Sequence, residues 1–220
     1  MKKICCIVAS LFVVALVALR IYQVNHQEWI QRYAAEIVVH EESETVAMPN
    51  AFYYMSGERN LSGYHIRAKK TELMSVAEFL DVYDITEGDF AKLLEEGGEY
   101  YEEYRYLYLV TVEIYNDEWQ KVEDEGMDSV SLDDFVLVGP DYWEFTRTRD
   151  VNRVPNFNPE LYGASRFGIA SERIFEITLP YLIKSTSTDD SYAQHILKYP
   201  PKLLISSYPT AIYMELPNAA

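Results

Sequence analysis

The sequence predicts a mainly β protein: a β-sandwich with short helical insertions, preceded by an N-terminal transmembrane and stalk helix. The first observation is the segment YRYLYLVTVEIY at residues 104–115, whose even positions are all aromatic or β-branched. Alternation of this kind is typical of a half-buried β-strand. A strand this long must bury one face against a second layer, which predicts two stacked sheets. The other observations are further alternating segments and an apolar run at the N-terminus.

Composition limits the partners of the protein. Of the 220 residues, 49% are hydrophobic and 25% are charged, as in a folded protein with a large core. Residues 24–220 hold 16 of the 19 basic residues and all 35 acidic residues, so this part of the chain carries a net charge of -19. Because such a surface repels phosphate groups, we expect no nucleic-acid partner.

The cysteines and the charges of the N-terminal segment bear on its role. Cys5 and Cys6 are the only cysteines, so the rest of the chain can form no disulfide and no thiolate metal site. Lys2 and Lys3 precede an uncharged run that ends at Leu19. Both cysteines lie at the start of this run, whereas a lipoprotein signal needs one after it.

Two further interpretations of this segment are a cleaved signal peptide and an uncleaved anchor. A cleaved signal needs small residues at the end of the run, and Val17–Arg20 offers no such site. We therefore expect residues 1–22 to form a membrane anchor, with 4–22 in the bilayer, the N-terminus in the cytoplasm and the rest of the chain outside. Residues 23–45 are expected to form a helical stalk, because Val24, Trp29, Tyr33 and Ile37 follow helical spacing. The ectodomain then covers 46–220.

Before the central strand, the sequence predicts strands and two short helices. Ser75 and Glu78 have the spacing of a capping box, which predicts the start of the first helix. The two helices are expected to cover one end or edge of the sandwich. The predicted elements are an edge strand at 51–55, a turn at 57–63, a strand at 64–73 and a second helix at 86–96.

After the central strand, an acidic turn region at 116–128 leads into further strands. Pro180 predicts an edge or a bend within its strand. The predicted elements are a strand at 129–138 with a bulge at Asp133–Asp134, a hairpin partner at 142–146, a long irregular loop at 147–171, a strand at 173–183, a helix at 187–197 and a final hairpin of 202–207 with 210–216. About seven strands is the count of an immunoglobulin-like sandwich.

The order of these elements resembles a known family. A strand ending YLVTVEIYN is followed by the hairpin VSLDDFVLVGPDYWEFT, the strand RIFEITLP and the closing pair PKLLISSYPTAIYMEL. This order resembles the telokin-like, immunoglobulin-like domain of many uncharacterised extracellular bacterial proteins. The segment GYHIRAKKTELMSVAEFLDVYDI also resembles a smaller group of membrane-anchored proteins of Gram-positive bacteria. The resemblance covers roughly residues 60–217 and implies a fold but no activity.

One loop concentrates positive charge in this acidic domain. The ligand-binding residues that we predict there are Arg147, Arg149, Arg153 and Arg166. Long loops on a rigid sandwich commonly carry binding surfaces, and arginine suits carboxylate recognition. The alternative is that these arginines, together with Arg173, pair with acidic residues around them.

These patterns favour a non-catalytic binding or interaction module on the cell surface, with the membrane and an unknown protein or surface ligand as partners. An alternative is an accessory subunit of a membrane complex that contacts its partners through residues 4–42. A hydrolase is a more distant alternative, because the four histidines lie far apart and GASRFG at 163–168 lacks the spacing of a nucleophile elbow. We expect no cofactor and no metal. The question of Ca²⁺ at Asp124, Glu125 and Asp128 stays open, although their spacing does not fit an EF-hand.

Overall fold

The computed structural model describes residues 36–53, 56–96, 104–121, 128–139, 144–145, 149–161, 163–184 and 191–219. Within these ranges the fold is mainly β. The strands are β1 (Glu36–His40), β2 (Val46–Ala47), β3 (Asn50–Tyr53), β4 (Gly57–Asn60), β5 (Tyr64–Ser75), β6 (Tyr104–Asn116), β7 (Val130–Ser131), β8 (Val136–Val138), β9 (Glu144–Phe145), β10 (Arg166–Phe167), β11 (Phe175–Lys184), β12 (Lys202–Ser206) and β13 (Thr210–Glu215). The α-helices are α1 (Val76–Val82), α2 (Glu87–Glu96) and α3 (Ser191–Lys198).

Two larger sheets share one core. The first has the order β1-β13-β12-β8-β9, and the second has the order β11-β6-β5-β2. Their strands are antiparallel to their neighbours, except that β1 runs parallel to β13. Leu203 and Met214 of the first sheet lie in the same apolar cluster as Ile66, Val112 and Ile177 of the second. The prediction of stacked β-sheets around a buried core is therefore confirmed.

The central strand β6 lies between β5 and β11, as its sequence predicts. Its alternate residues Tyr108, Val110 and Val112 are at most 1% exposed and face the shared core. The opposite face is also buried in its middle, where Leu107 packs in a second cluster. The alternation fails at the first residue: Tyr104 joins this second cluster, because a register shift leaves Arg105 without a partner on β11.

The two short helices lie where the capping signals predict them. Ser75 accepts a hydrogen bond from the Glu78 N–H at 3.2 Å, and the Glu78 carboxylate accepts one from the Ser75 N–H at 2.8 Å. This capping box starts α1 directly at the end of β5. Phe79 of α1 and Phe90 of α2 pack in the cluster of Leu107, so the helices cover the outer face of the β6 sheet.

The prediction of a helical stalk at residues 23–45 is wrong at its C-terminal end. Residues 36–40 form strand β1, paired with β13 from Glu36–Thr210 to His40–Met214. The run Ile37-Val38-Val39 is β-branched, and this favours a strand once a partner is present. The folded domain therefore includes residues from 36 onward instead of starting at 46. The rest of the stalk and the anchor at 4–22 lie outside the described residues. None of the helices within the described ranges has the length and apolarity that crossing a bilayer requires.

Two local predictions are also corrected. The predicted turn at 57–63 contains β4, which pairs with β3, so the turn is confined to its second half. The predicted bulge at Asp133–Asp134 is instead a 3₁₀ turn at Leu132–Asp134. This turn carries the chain from β7 to β8, which belong to different sheets. Asp134 is buried there and accepts a hydrogen bond from the Ser56 N–H at 2.9 Å.

Candidate binding groove

The irregular segment after β9 forms a surface groove of about 460 Å³. It begins with a 3₁₀ helix at Arg149–Arg153 and continues through turns. The groove is lined by Asn152, Arg153, Val154, Pro155, Asn156, Asn158, Pro159 and Gly163. We refer to this set of residues as the groove.

Apolar side chains anchor the groove to the scaffold. Val151, Val154 and Phe157 pack in the cluster beneath α1 and α2, where the Phe157 ring lies 5.3 Å from that of Phe79. Leu161 reaches the core shared by the two sheets. A loop fastened at both ends in this way presents its polar groups in fixed positions, as a binding site requires.

Asn158 fastens the groove to the edge strand β11. Its Nδ2 donates to the Thr178 carbonyl at 2.8 Å, and its Oδ1 accepts from the Thr178 N–H at 2.9 Å. The side-chain amide therefore bonds the outer edge of β11 as a neighbouring strand would. Asn158 Nδ2 also donates to Asn152 Oδ1 at 2.8 Å.

Asn152 lines the groove with a buried side chain. The residue is 3% exposed, and its Nδ2 has no hydrogen-bond partner among the residues that the structure describes. A buried donor without a partner costs about 1–3 kcal/mol. The lining of the groove therefore includes a residue with an unsatisfied buried donor.

Arg153 brings a cation to the same groove. Its guanidinium bonds the Glu96 carboxylate at 2.9 Å, at a place where the two side chains are 48% and 46% exposed. Exposed ion pairs of this type contribute only about 0–1 kcal/mol. A ligand carboxylate can therefore compete with Glu96 for the guanidinium.

The structure separates the four predicted ligand-binding arginines. Arg153 lines the groove, whereas Arg166 lies exposed on β10 and is not part of it. Arg149 lies in the 3₁₀ helix that leads to the groove. Arg147 lies outside the described residues. Arg153 and Arg173 fit the alternative interpretation, in which the arginines pair with nearby acidic residues. Arg153 pairs with Glu96, and Arg173 pairs with Glu160 and lies over the Phe175 ring at 5.0 Å.

Sequence reasoning missed Asn152 and Asn158. The segment NRVPNFNP contains three asparagines and two prolines, which signals a turn-rich loop. The positions of the two amides depend on contacts with β11 and with each other, and no local pattern shows those contacts.

Of the three acidic residues considered for Ca²⁺, Asp128 is the one that lies within the described residues. Asp124 and Glu125 lie outside the described residues. The Asp128 carboxylate accepts from the Asn60 N–H at 2.9 Å and pairs with Arg59 at 3.4 Å. Across the described ranges, no group of three or more His, Cys, Asp or Glu side chains is placed to hold a metal ion.

Comparison with known proteins gives one relationship. No curated protein and no solved structure matches the chain. A family model described as a domain of unknown function, DUF5028, matches residues 37–212. Its first matched residue lies within β1, in agreement with a domain that includes this strand. The match spans well over half of the chain, so the protein belongs to the DUF5028 family.

Proposed function

We propose that the protein is a non-catalytic binding module of the bacterial cell surface, held by one transmembrane helix at residues 4–22. The uncharged N-terminal run behind Lys2 and Lys3 supports an anchor with a cytoplasmic N-terminus. The folded domain includes β1, so residues 23–35 would link it to the membrane. We also propose that the two sheets form an immunoglobulin-like sandwich of the telokin-like type, which the antiparallel neighbours of β6 and β12 support.

The groove is the proposed binding site, and its ligand is a molecule that carries a carboxylate. The observation that carries this proposal is that Arg153 and Asn152 line one groove, where the guanidinium is exposed and the buried Nδ2 of Asn152 has no partner among the described residues. A carboxylate accepts hydrogen bonds through both oxygens and complements the guanidinium charge. Val154, Pro155 and Pro159 add apolar surface, which is typical of small-ligand sites.

The test compares two peptides that differ only in charge. The full chain is placed in nanodiscs of neutral lipid, and its affinity is measured for an acetylated Gly-Glu-Gly-Glu-Gly amide and for the same peptide with Gln in place of Glu. We expect the Glu peptide to bind more tightly. Arg153→Gln should weaken its binding by about tenfold or more, because a hydrogen bond to a charged group contributes about 1.5–3 kcal/mol.

Two further variants sharpen this test. Arg166→Gln removes the same charge outside the groove, so it should leave the affinity within about twofold. Glu96→Gln removes the competing carboxylate and should tighten binding of the Glu peptide. Equal affinity for the two peptides, or equal losses in Arg153→Gln and Arg166→Gln, would contradict the proposal. The proposal would also be contradicted if a natural partner were lost only when residues 4–35 are exchanged for another anchor.

A further inference from the structure

The four ends of the two larger sheets differ in how they are protected. β2 and β9 are each two residues long. β11 contains Pro180 and is bonded along its outer edge by the Asn158 amide. These are known ways of preventing a sheet edge from pairing with another chain. Strand β1 has none of these features: it is five residues long and contains no proline, glycine or lysine.

The side chains of β1 are unusually apolar for an open edge. One side of the strand pairs with β13, and the other side faces no strand within the described part of the chain. Ile37 and Val39 are each 46% exposed. Their partners on β13 are Ala211 and Tyr213, which are buried, so both exposed side chains extend one apolar face of the sheet to its edge.

We propose that a second copy of this chain pairs with β1, antiparallel and centred on Val38, and joins the two sheets into one. The sequence EIVVH is complementary to itself in this register. Glu36 lies opposite His40 of the second copy, whose Nδ1 contacts its own Glu44 at 3.1 Å, and Ile37 lies opposite Val39. The Glu36–His40 and Ile37–Val39 contacts each occur twice, and Val38 meets its own counterpart on the axis, as a two-fold interface requires.

The faces of the sheet restrict the register. Ile37 and Val39 belong to one face, and Glu36, Val38 and His40 belong to the other. A shift by one residue would place an Ile or Val opposite a residue of the wrong face. Several registers keep residues of the same face opposite each other. The register centred on Val38 is the one that pairs all five residues of β1, and it keeps Glu36 away from Glu36 of the second copy. If the proposed anchor is correct, confinement to one membrane would raise the effective concentration of the two copies.

The test uses cysteine cross-linking of the full chain in native membranes, in a Cys5→Ser, Cys6→Ser background. In Val38→Cys, the two cysteines would face each other with Cα atoms about 4.5–5.5 Å apart, which suits a disulfide. In Glu36→Cys, the two cysteines would lie about 13 Å apart. Mild oxidation should therefore link Val38→Cys into dimers at least about tenfold more efficiently than Glu36→Cys. Coexpressed Glu36→Cys and His40→Cys chains should link to each other.

Sedimentation of the detergent-solubilised chain provides a second readout. The double variant Ile37→Lys, Val39→Lys changes only exposed side chains, so it should fold and should convert a wild-type dimer into a monomer. A monomeric wild type, a dimer that resists this variant, equal linking of Val38→Cys and Glu36→Cys, or a Val38→Cys link to a different protein would each overturn the proposal. Binding of the Glu peptide should stay unchanged in the double variant, so failure of the dimer and failure of the groove are distinguishable.

Discussion

At the scale of single residues, buried polar groups determine where the loops lie. Asn158 is 7% exposed and its amide bonds both Thr178 and Asn152. Tyr64 is similar: its hydroxyl accepts from the Ile169 N–H at 3.1 Å, and burial raises the pKa of this phenol. Such contacts fix loops to strands because an unmade bond at a buried group is costly.

Asn158→Asp tests the attachment of the groove. The variant removes the two hydrogen bonds that Asn158 Nδ2 donates, one to the Thr178 carbonyl and one to Asn152 Oδ1. It also places a carboxylate against both of these oxygens. We expect a loss of about 2–4 kcal/mol in the free energy of unfolding, measured by urea titration of the full chain in detergent. The exposed Asn218→Asp is the matched control. Equal effects of the two variants would show that the amide does not hold the loop.

Glu113 gives a prediction for pH. Its side chain is 15% exposed, and hydrogen bonds from Lys69 and then from Arg67 hold the pKa of its carboxyl below the ordinary value. A depressed folded-state pKa stabilises the protein above the unfolded-state pKa of about 4.3, and the contribution disappears as pH falls through the folded-state pKa.

Glu113→Gln should therefore be less stable than the wild type at pH 7, and the difference should shrink as the pH falls below about 4. The free energy of unfolding from pH 7 down to pH 2.5 measures this trend. The exposed Glu58→Gln removes the same formal charge and corrects for net charge. A stability difference that does not change with pH would contradict the assignment.

At the scale of elements, helix α1 depends on the strands beside it. α1 has only seven residues, so its stability comes from the cap at Ser75 and from packing on β6. Phe79 contacts the rings of Tyr83, Phe90 and Phe157, which connects α1 to α2 and to the groove.

Ser75→Ala tests this dependence. Loss of the cap should lower the free energy of unfolding by about 1 kcal/mol, whereas Ser75→Thr keeps the hydroxyl and should cost much less. Because the helix supports Phe157, hydrogen exchange at 76–82 and at 151–157 should rise together in Ser75→Ala. An increase confined to 76–82 would show that the groove does not depend on α1.

The local patterns predicted most of the longer elements because those elements carry their own signals. The alternation in β6, the capping box and the Pro180 edge depend on neighbours in sequence. Strand β1 was missed because Ile37, Val38 and Val39 fit either period in a short run, and its partner β13 lies at the other end of the chain. The groove was predicted as a loop, but its Asn152 donor depends on tertiary contacts that no local pattern encodes.

At the scale of the whole molecule, the second sheet is covered on both faces. The first sheet packs on its inner face, and α1, α2 and the groove segment cover part of its outer face. The groove therefore rests on a packed core while the Arg153 side chain stays accessible. This arrangement of a fixed loop on a stable scaffold is typical of binding modules.

Hydrogen exchange of the full chain in nanodiscs tests the central claim most directly, because it locates the ligand as well as detecting it. With the acetylated Gly-Glu-Gly-Glu-Gly amide, backbone exchange should slow at residues 152–158 and stay unchanged elsewhere. With the Gln peptide, or in Arg153→Gln, exchange at 152–158 should not slow. Protection by the Glu peptide at another surface, with none at 152–158, would contradict the assignment of the groove as the binding site.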